Sequence, residues 1–355
     1  MRIFLFFLTL TFLFFSCKKE DDSVQAVALP NAYGEGVYIL TDQDVNYIDS
    51  DNILKENIFN SVNGGSILNP KRLKIKNDKV LITGNRIYML DINTFGLEAE
   101  VGGFINATDC DFVSFNRLFV TDRGDGYVKV VDLDNLHITN QIESGDSSRP
   151  AFIVSDYTRS FILNGGGEGS AKKDKTIISV EHRDGLVSLA NFRGRVFVGD
   201  NPISAVFSDK LKVLCRGVYS STSTSANTNP SFYVISPSAN IVIDSLQILG
   251  AENVRCLVEN NAGDKLFFTS EDGIYRINYS NLTYSLYRAN LNKRSTTLAL
   301  NFEQYANTDS TTVNVEMMYI NDLDNPGFIY KYNTYLSLYT DSFQVDGNVI
   351  DIKVF

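Results

Sequence analysis

The sequence contains no tryptophan and only two histidines, His137 and His182, among its 355 residues. A metal centre built from several histidines is therefore excluded, and so is a carbohydrate platform built on tryptophan. Cationic residues are in the minority, because 32 lysines and arginines stand against 42 aspartates and glutamates, which gives a net charge of −10. An acidic surface repels phosphate, and no run of lysine and arginine compensates for it, so we do not expect nucleic acid as a partner.

Extremes of composition are absent as well. The apolar fraction of 44% and the charged fraction of 21% are close to the averages of globular proteins. These values exclude a disordered chain and a polytopic membrane protein. The length allows two or three ordinary domains or one large β-architecture.

The N-terminus has the pattern of a secretory signal. Arg2 precedes an apolar run, Ile3–Phe15, which as a helix would be about 20 Å long, too short for a hydrocarbon core of about 30 Å. The residues that follow, Phe14-Phe15-Ser16-Cys17, resemble a bacterial lipobox, although Phe14 stands where leucine is usual. The resemblance implies a signal peptide over residues 1–16 and a lipidated Cys17. The alternative is an ordinary signal peptide that ends beside a cysteine.

Residues 17–35 are predicted to be an anchor and a linker. Lys18–Asp22 (KKEDD) resembles the acidic tag that follows the lipidated cysteine in surface-exported outer-membrane lipoproteins. The alternative is a solvated tether that keeps the domain away from the bilayer. The expected location is therefore the outer membrane, with the protein lipid-anchored and exposed at the cell surface.

A short apolar run recurs seven times after residue 36, at intervals of 38 to 53 residues. Consecutive apolar positions indicate strands that are buried on both faces. The seven runs are Val37–Thr41, Lys79–Thr83, Arg117–Thr121, Ser160–Asn164, Lys212–Arg216, Lys265–Thr269 and Met317–Asn321.

Companion strands complete each repeat. A strand ending in Asp, Glu, Ser or Asn follows each run, as in Met89–Asp91, and such residues favour a hairpin turn by bonding nearby amides. A more polar strand generally comes next, and from the second repeat on another strand precedes the run, as in Arg72–Lys76. Four strands in 40–50 residues are typical of a β-propeller blade.

The fold class predicted is all-β: a seven-bladed β-propeller of four-stranded blades over residues 36–355. The first repeat lacks its inner strand, and the terminal segment Val349–Phe355 has the inner-strand pattern with no partner after it. We therefore expect the C-terminal strand to become the inner strand of blade one and to close the ring. Two stacked β-sandwiches would leave an orphan strand at each terminus unexplained.

The repeats resemble YVTN/YncE-type seven-bladed propellers, particularly their bacterial surface-lipoprotein branch. Three segments carry the resemblance: Lys79–Thr94, Arg117–Asn135 and Ser147–Ser155. Some lipoproteins of this branch sit on TonB-dependent outer-membrane transporters and capture vitamin B12. The resemblance thus implies a ligand-capture module, with a corrinoid as the most specific ligand and a glycan, a peptide or another small molecule as alternatives.

Candidate ligand-binding residues lie where inner strands start and apolar strands end, positions that meet at one face of a propeller. Several arginines aimed at one mouth suggest an anionic or polar ligand. The alternative is that they pair with Asp109, Asp122 and Asp200 to line a wet channel. Two long segments beside them, Gly165–Lys175 and Gly217–Pro230, are predicted to form one wall of this site. The candidates are Arg72, Arg123, Arg149, Asn201, Arg216, Tyr219 and Arg255.

Catalytic and cofactor chemistry finds little support. Both histidines are expected at the surface on the opposite side, away from any serine of the channel. The glycine-rich Gly165–Gly169 lacks the following helix of a phosphate loop. Of the remaining cysteines, Cys110, Cys215 and Cys256, a Cys215–Cys256 bridge is one option and three buried thiols the other. We predict no catalytic residue, cofactor or metal; the alternatives are a lactonase-like hydrolase with a channel metal and a structural adhesin.

Overall fold

A computed structural model of the chain describes residues 32–145, 149–156, 158–165, 174–182, 191–218, 227–288, 294–306 and 312–355. The strands form seven four-stranded antiparallel sheets arranged as the blades of a β-propeller, which confirms the predicted fold class. The predicted lipidation site, Cys17, lies outside the described residues. In the part of the chain that is described, no helix is long and apolar enough to cross a membrane.

The elements follow one another blade by blade. Blade one contains β1 (Val37–Thr41), β2 (Val45–Ile48) and β3 (Leu54–Lys55), and helix α1 (Ile58–Asn63) follows it. Blade two consists of β4 (Arg72–Lys76), β5 (Lys79–Thr83), β6 (Ile87–Asp91) and β7 (Leu97–Val101). Blade three consists of β8 (Ala107–Ser114), β9 (Arg117–Asp122), β10 (Tyr127–Asp132) and β11 (His137–Glu143). Blade four consists of β12 (Pro150–Ser155), β13 (Arg159–Asn164), β14 (Thr176–Glu181) and β15 (Asn191–Phe197). Blade five consists of β16 (Pro202–Phe207), β17 (Leu211–Cys215), β18 (Ser231–Ser236) and β19 (Ile241–Gln247). Blade six consists of β20 (Arg255–Glu259), β21 (Lys265–Ser270), β22 (Gly273–Asn278) and β23 (Thr283–Arg288). Blade seven consists of β24 (Leu298–Ala306), β25 (Thr312–Asn321), β26 (Phe328–Asn333) and β27 (Leu338–Gln344). The last strand is β28 (Val349–Val354).

Each of the seven apolar runs is the second strand of its blade. β1 and β17 are buried along their whole length, β5, β9, β13 and β21 are buried after their first residue, and β25 is buried over Met317–Asn321, because a blade covers each of their faces. Seven apolar clusters lie among the described residues, one at each seam between neighbouring blades. Burial of these faces is the main favourable contribution to the fold.

The inner strands are less buried than the second strands. Four of the five residues of β4 and three of the six residues of β12 are only half-buried, because one edge of each inner strand borders the central channel. Polar side chains of the inner strands therefore line the channel without being isolated in an apolar core.

The turns after the third strands form as expected from their closing polar residues. Asp91 Oδ1 accepts hydrogen bonds from the backbone amides of Asn93 and Thr94, and Asp132 Oδ1 accepts one from Asn135 in the same way. Partial burial raises the pKa of each carboxyl group, but these hydrogen bonds outweigh it, so both pKa values lie below the usual range of aspartate.

Ring closure by the C-terminus is confirmed. β28 pairs antiparallel with β1, with Ile352 opposite Ile39. Backbone hydrogen bonds between Gly36 and Phe355 end the ladder. Ile352 is fully buried in the seam between blades seven and one, whereas Phe355 remains 40% exposed. Phe355 is the least buried of the apolar residues of the tail because it lies just beyond the last pair.

The prediction of two surface histidines is wrong for His182. His137 is exposed at the start of β11, but His182 is only 3% exposed. Its Nε2 lies 2.9 Å from Ser160 Oγ, and its ring packs edge-on against Phe119. Cys110, Cys215 and Cys256 are free thiols, so the Cys215–Cys256 bridge is absent; Cys110 and Cys215 are buried as predicted, whereas Cys256 is only half-buried. Burial raises the pKa of the thiols of Cys110 and Cys215.

Candidate ligand-binding site

Antiparallel pairing explains why distant arginines meet at one end of the channel. In each inner hairpin one end of the inner strand lies opposite the last or the last but one residue of the second strand. Arg72 pairs with Thr83 in blade two, and Arg255 pairs with Thr269 in blade six. Arg123 and Arg216 come directly after second strands, β9 and β17, and so reach the same mouth.

A cavity of about 460 Å³ occupies this mouth, and all seven blades contribute to its wall. The charged residues of the wall are Lys71, Arg72, Arg123, Arg216, Arg255 and Asp351. Among the described residues of the wall, five cations therefore surround one carboxylate, in a protein whose net charge is −10. Such an arrangement gives the mouth a positive potential that favours an anion.

Arg72 is held against the wall from two sides. Its guanidinium carbon lies 4.8 Å from the centre of the Phe152 ring, and its Nε lies 3.9 Å from Asp109 Oδ1. The latter distance is an ion pair and too long for a hydrogen bond, and Nε has no hydrogen-bond partner among the described residues. The predicted pairing of a channel arginine with an aspartate is thus present for Arg72 and Asp109.

The other predicted aspartate partners are engaged elsewhere. The Asp122 carboxylate accepts the backbone amides of Ile105 and Asn106. Asp200 accepts the hydroxyl of Thr228 and lies 3.3 Å from Nζ of Lys175.

A belt of alternating lysines and aspartates lies below the cavity and joins three blades. Lys74 and Lys76 on β4 donate to Asp109 and Asp111 on β8. The same carboxylates accept the backbone amides of β12, with 3.0 Å from Ile153 N to Asp109 Oδ2. Desolvation lowers the pKa of Lys74, but attraction to the two aspartates outweighs it, so the pKa is raised and the ammonium stays charged.

Asp351 fixes the closing strand in the same manner. Its Oδ2 accepts the backbone amide of Leu73 in blade two at 3.1 Å, and its Oδ1 accepts the hydroxyl of Thr297 in blade seven at 3.3 Å. The single acid of the cavity is therefore buried and bonded to both neighbouring blades. Its role in the wall is to hold the ring together at the mouth.

Of the seven predicted binding residues, four line the cavity: Arg72, Arg123, Arg216 and Arg255. Arg149 is exposed and outside the lining residues. Tyr219 and most of the two long segments, residues 166–173 and 219–226, lie outside the described residues.

Asn201 is buried away from the cavity. It has a left-handed backbone, and its Nδ2 donates to the carbonyl of Gly217. Its own carbonyl accepts the amide of Arg216, so Asn201 positions the start of that segment.

Lys71, Asp351 and the lysine–aspartate belt are absent from the sequence prediction. The alternating polar residues of Arg72–Lys76 and of Asp109-Cys110-Asp111 are the signal that could have revealed them, because alternation on an inner strand indicates a channel face.

Two catalytic arrangements can be tested against the geometry. Ser160 and His182 form a hydrogen-bonded pair, but Ser160 is fully buried and neither residue lines the cavity. Within the described ranges, no group of three or more histidine, cysteine, aspartate or glutamate residues is placed to hold a metal ion.

Comparison with known proteins supports the fold alone. The chain matches no protein-family model, and no curated protein matches it. Among solved structures it is similar to Kuenenia stuttgartiensis hydrazine synthase, with a TM-score of 0.62 and 14% identity, over 80% of this chain and 89% of that one. It is also similar to the β-propeller domain of Myceliophteria thermophila Cps50 (Swd1), with a TM-score of 0.55 and 10% identity, over 79% and 87% of the two chains.

Proposed function

We propose that the protein is a lipid-anchored, surface-exposed outer-membrane lipoprotein that captures a ligand without transforming it. The basic mouth of the channel is the proposed capture site, and it holds an anionic group of the ligand. The observation that carries this proposal is the convergence of five cations from four blades on one cavity of about 460 Å³. Guanidinium groups favour carboxylate and phosphate because they form two parallel hydrogen bonds with them.

Only the anionic group of the proposed ligand enters the cavity. A cavity of this volume is at the small end of ligand sites, so it accepts a carboxylate or phosphate group with a few neighbouring atoms. A corrinoid with a nucleotide arm fits this description through its phosphodiester. An acidic glycan or the carboxylate of a peptide would offer the same chemistry.

Calorimetry on the purified protein tests the capture site. The probes are cyanocobalamin, a tricarboxylate and a sugar phosphate. For a probe that binds, Arg123→Gln with Arg255→Gln should weaken binding by about 1.5–3 kcal/mol per lost charged hydrogen bond, about tenfold or more in Kd for each. Arg149→Gln is the matched control, because it removes one exposed positive charge outside the cavity. If the double variant and Arg149→Gln lost equal amounts of binding free energy, the mouth would not be the binding site.

The proposed partner is a TonB-dependent outer-membrane transporter. A capture module is useful only if it passes its ligand to an uptake channel, and the lipid anchor proposed at Cys17 would keep the two in one membrane. Purification of the protein from outer membranes after mild crosslinking should recover such a transporter. Its absence, with the protein present in outer membranes, would contradict this partner and leave the capture site to be judged by calorimetry.

A further inference from the structure

A second cavity lies on the side of the propeller between blades four and five, apart from the channel mouth. Its volume is about 310 Å³. One wall is the end of blade four, Val198–Asp200, and the other is the outer part of the blade-five sheet. The two cavities share no lining residue.

The blade-five wall is a patch of polar side chains on one face of the sheet. Ser231 on β18 lies directly opposite Gln247 on β19, and Tyr233 lies opposite Ser245. Because residues two apart on a strand share a face, these four side chains lie side by side. They provide hydroxyl and amide groups that both donate and accept hydrogen bonds.

The blade-four wall supplies a buried carboxylate. The Asp200 side chain is 7% exposed, and its Oδ2 accepts the hydroxyl of Thr228 at 2.7 Å. Its Oδ1 is buried and accepts no hydrogen bond from the described residues. Nζ of Lys175 lies 3.3 Å from Oδ1 as an ion pair, and that lysine side chain is 48% exposed. A ligand hydroxyl that donates to Oδ1 beside the ammonium would give this oxygen the hydrogen bond it lacks.

Gly199 lies close to the blade-five wall, and its lack of a side chain keeps the cavity open beside Tyr233. A Cβ atom on Gly199 would lie 2.1 Å from Ser231 Oγ and 3.3 Å from the Tyr233 ring. Glycine is therefore the residue that lets the blade-four wall approach the ring without filling the cleft.

We infer that this cleft binds a neutral saccharide. The charges of its wall balance, with one aspartate and one lysine, and the remaining groups are neutral donors and acceptors. A ligand rich in hydroxyl groups satisfies such a wall, whereas an anion or a cation would meet a charge of its own sign. The site is independent of the capture of an anion at the channel mouth.

Saturation-transfer NMR with maltotriose, cellotriose, chitotriose and mannotriose tests the inference on the purified full chain. At least one trisaccharide should bind, and Ser245→Ala with Gln247→Ala should raise its Kd about tenfold or more. Both residues are exposed on an outer strand, so the fold should be unaffected. Asp244→Ala is the matched control, since it is exposed on the same strand directly before Ser245 and faces the other way.

Asp200→Asn gives a second variant with a separate readout. It should weaken saccharide binding by a similar factor while the circular dichroism spectrum and the melting temperature remain close to those of the wild type. The inference is overturned if none of the four trisaccharides binds, or if Ser245→Ala with Gln247→Ala binds as tightly as the wild type. Binding of an extended peptide at Gln247 in place of a saccharide would also overturn it.

Discussion

Ring closure by β28 can be tested through one side chain. Ile352 is fully buried between blade one and blade seven, where it contacts the cluster that contains Ile39 and Tyr319. Truncation to alanine removes this contact and leaves a cavity at the seam, which should cost about 2–5 kcal/mol of the free energy of unfolding. Phe355→Ala is the matched control, because it removes a larger side chain of the same strand end that is 40% exposed.

The whole strand contributes more than one residue. Two of its side chains, Val349 and Ile352, are buried, and Ile350 and Val354 are half-buried. At about 1.5–3 kcal/mol for each fully buried side chain, their burial contributes about 5–9 kcal/mol. This is comparable to the whole stability of about 5–15 kcal/mol of an ordinary domain. Deletion of Val349–Phe355 should therefore leave the protein unfolded or aggregated.

Urea unfolding followed by circular dichroism is the assay. Ile352→Ala should lower the midpoint markedly with an unchanged slope, and Phe355→Ala should cost less, about 1–2 kcal/mol, because its side chain is only partly buried. Equal midpoints for the two variants would refute the reasoning that the terminal strand closes the ring through its buried face.

Three further predictions concern the belt, the turns and the anchor. Asp109→Ala should cost about 3–5 kcal/mol in urea unfolding, because it leaves the Lys74 ammonium without its nearest counter-ion. Acid should destabilise the fold as the pH falls from the unfolded aspartate pKa of about 3.9 through the lowered folded values of Asp91 and Asp132, and Asp132→Asn should flatten that slope. Cys17→Ser should abolish labelling with radioactive palmitate.

Each of these has an outcome that would contradict it. The control for the belt is Lys79→Ala, which removes a more exposed ion pair with Glu98 and should cost no more than about 1 kcal/mol of the free energy of unfolding. If Asp109→Ala cost as little as Lys79→Ala, the belt would contribute little to stability. If the stability of Asp132→Asn fell with decreasing pH as steeply as that of the wild type, the Asp132 turn would not contribute to acid unfolding. Palmitate retained by Cys17→Ser would argue against the lipobox.

The sequence predicts the second strands well because they are buried on both faces. Val37–Thr41 and Lys79–Thr83 have the predicted bounds, since an unbroken apolar run has only one place in a blade. Inner strands are less visible, because their channel face is polar. Asp109 can therefore be assigned to the channel from the sequence, but its hydrogen bonds to the two neighbouring blades follow only from the structure.

The site was harder to predict than the fold. Arginines at strand ends could be assigned to one mouth, because antiparallel pairing fixes which ends meet. Strand pairing does not predict which of these side chains are exposed and which are buried. Arg149 lies one residue before its strand and is exposed, and Asn201 is drawn inward because its left-handed backbone and side-chain amide complete a turn. His182 was misplaced because a histidine that bonds a buried serine has no distinct pattern in the sequence.

The most direct test of an anion-binding mouth is a crystal structure of the protein with its tightest anionic probe. The account predicts the anionic group of the probe in the channel-mouth cavity, within about 3 Å of guanidinium nitrogens from at least two of Arg72, Arg123, Arg216 and Arg255. Density for the probe on the outer strands or at the opposite mouth, with the arginine cavity empty, would contradict it.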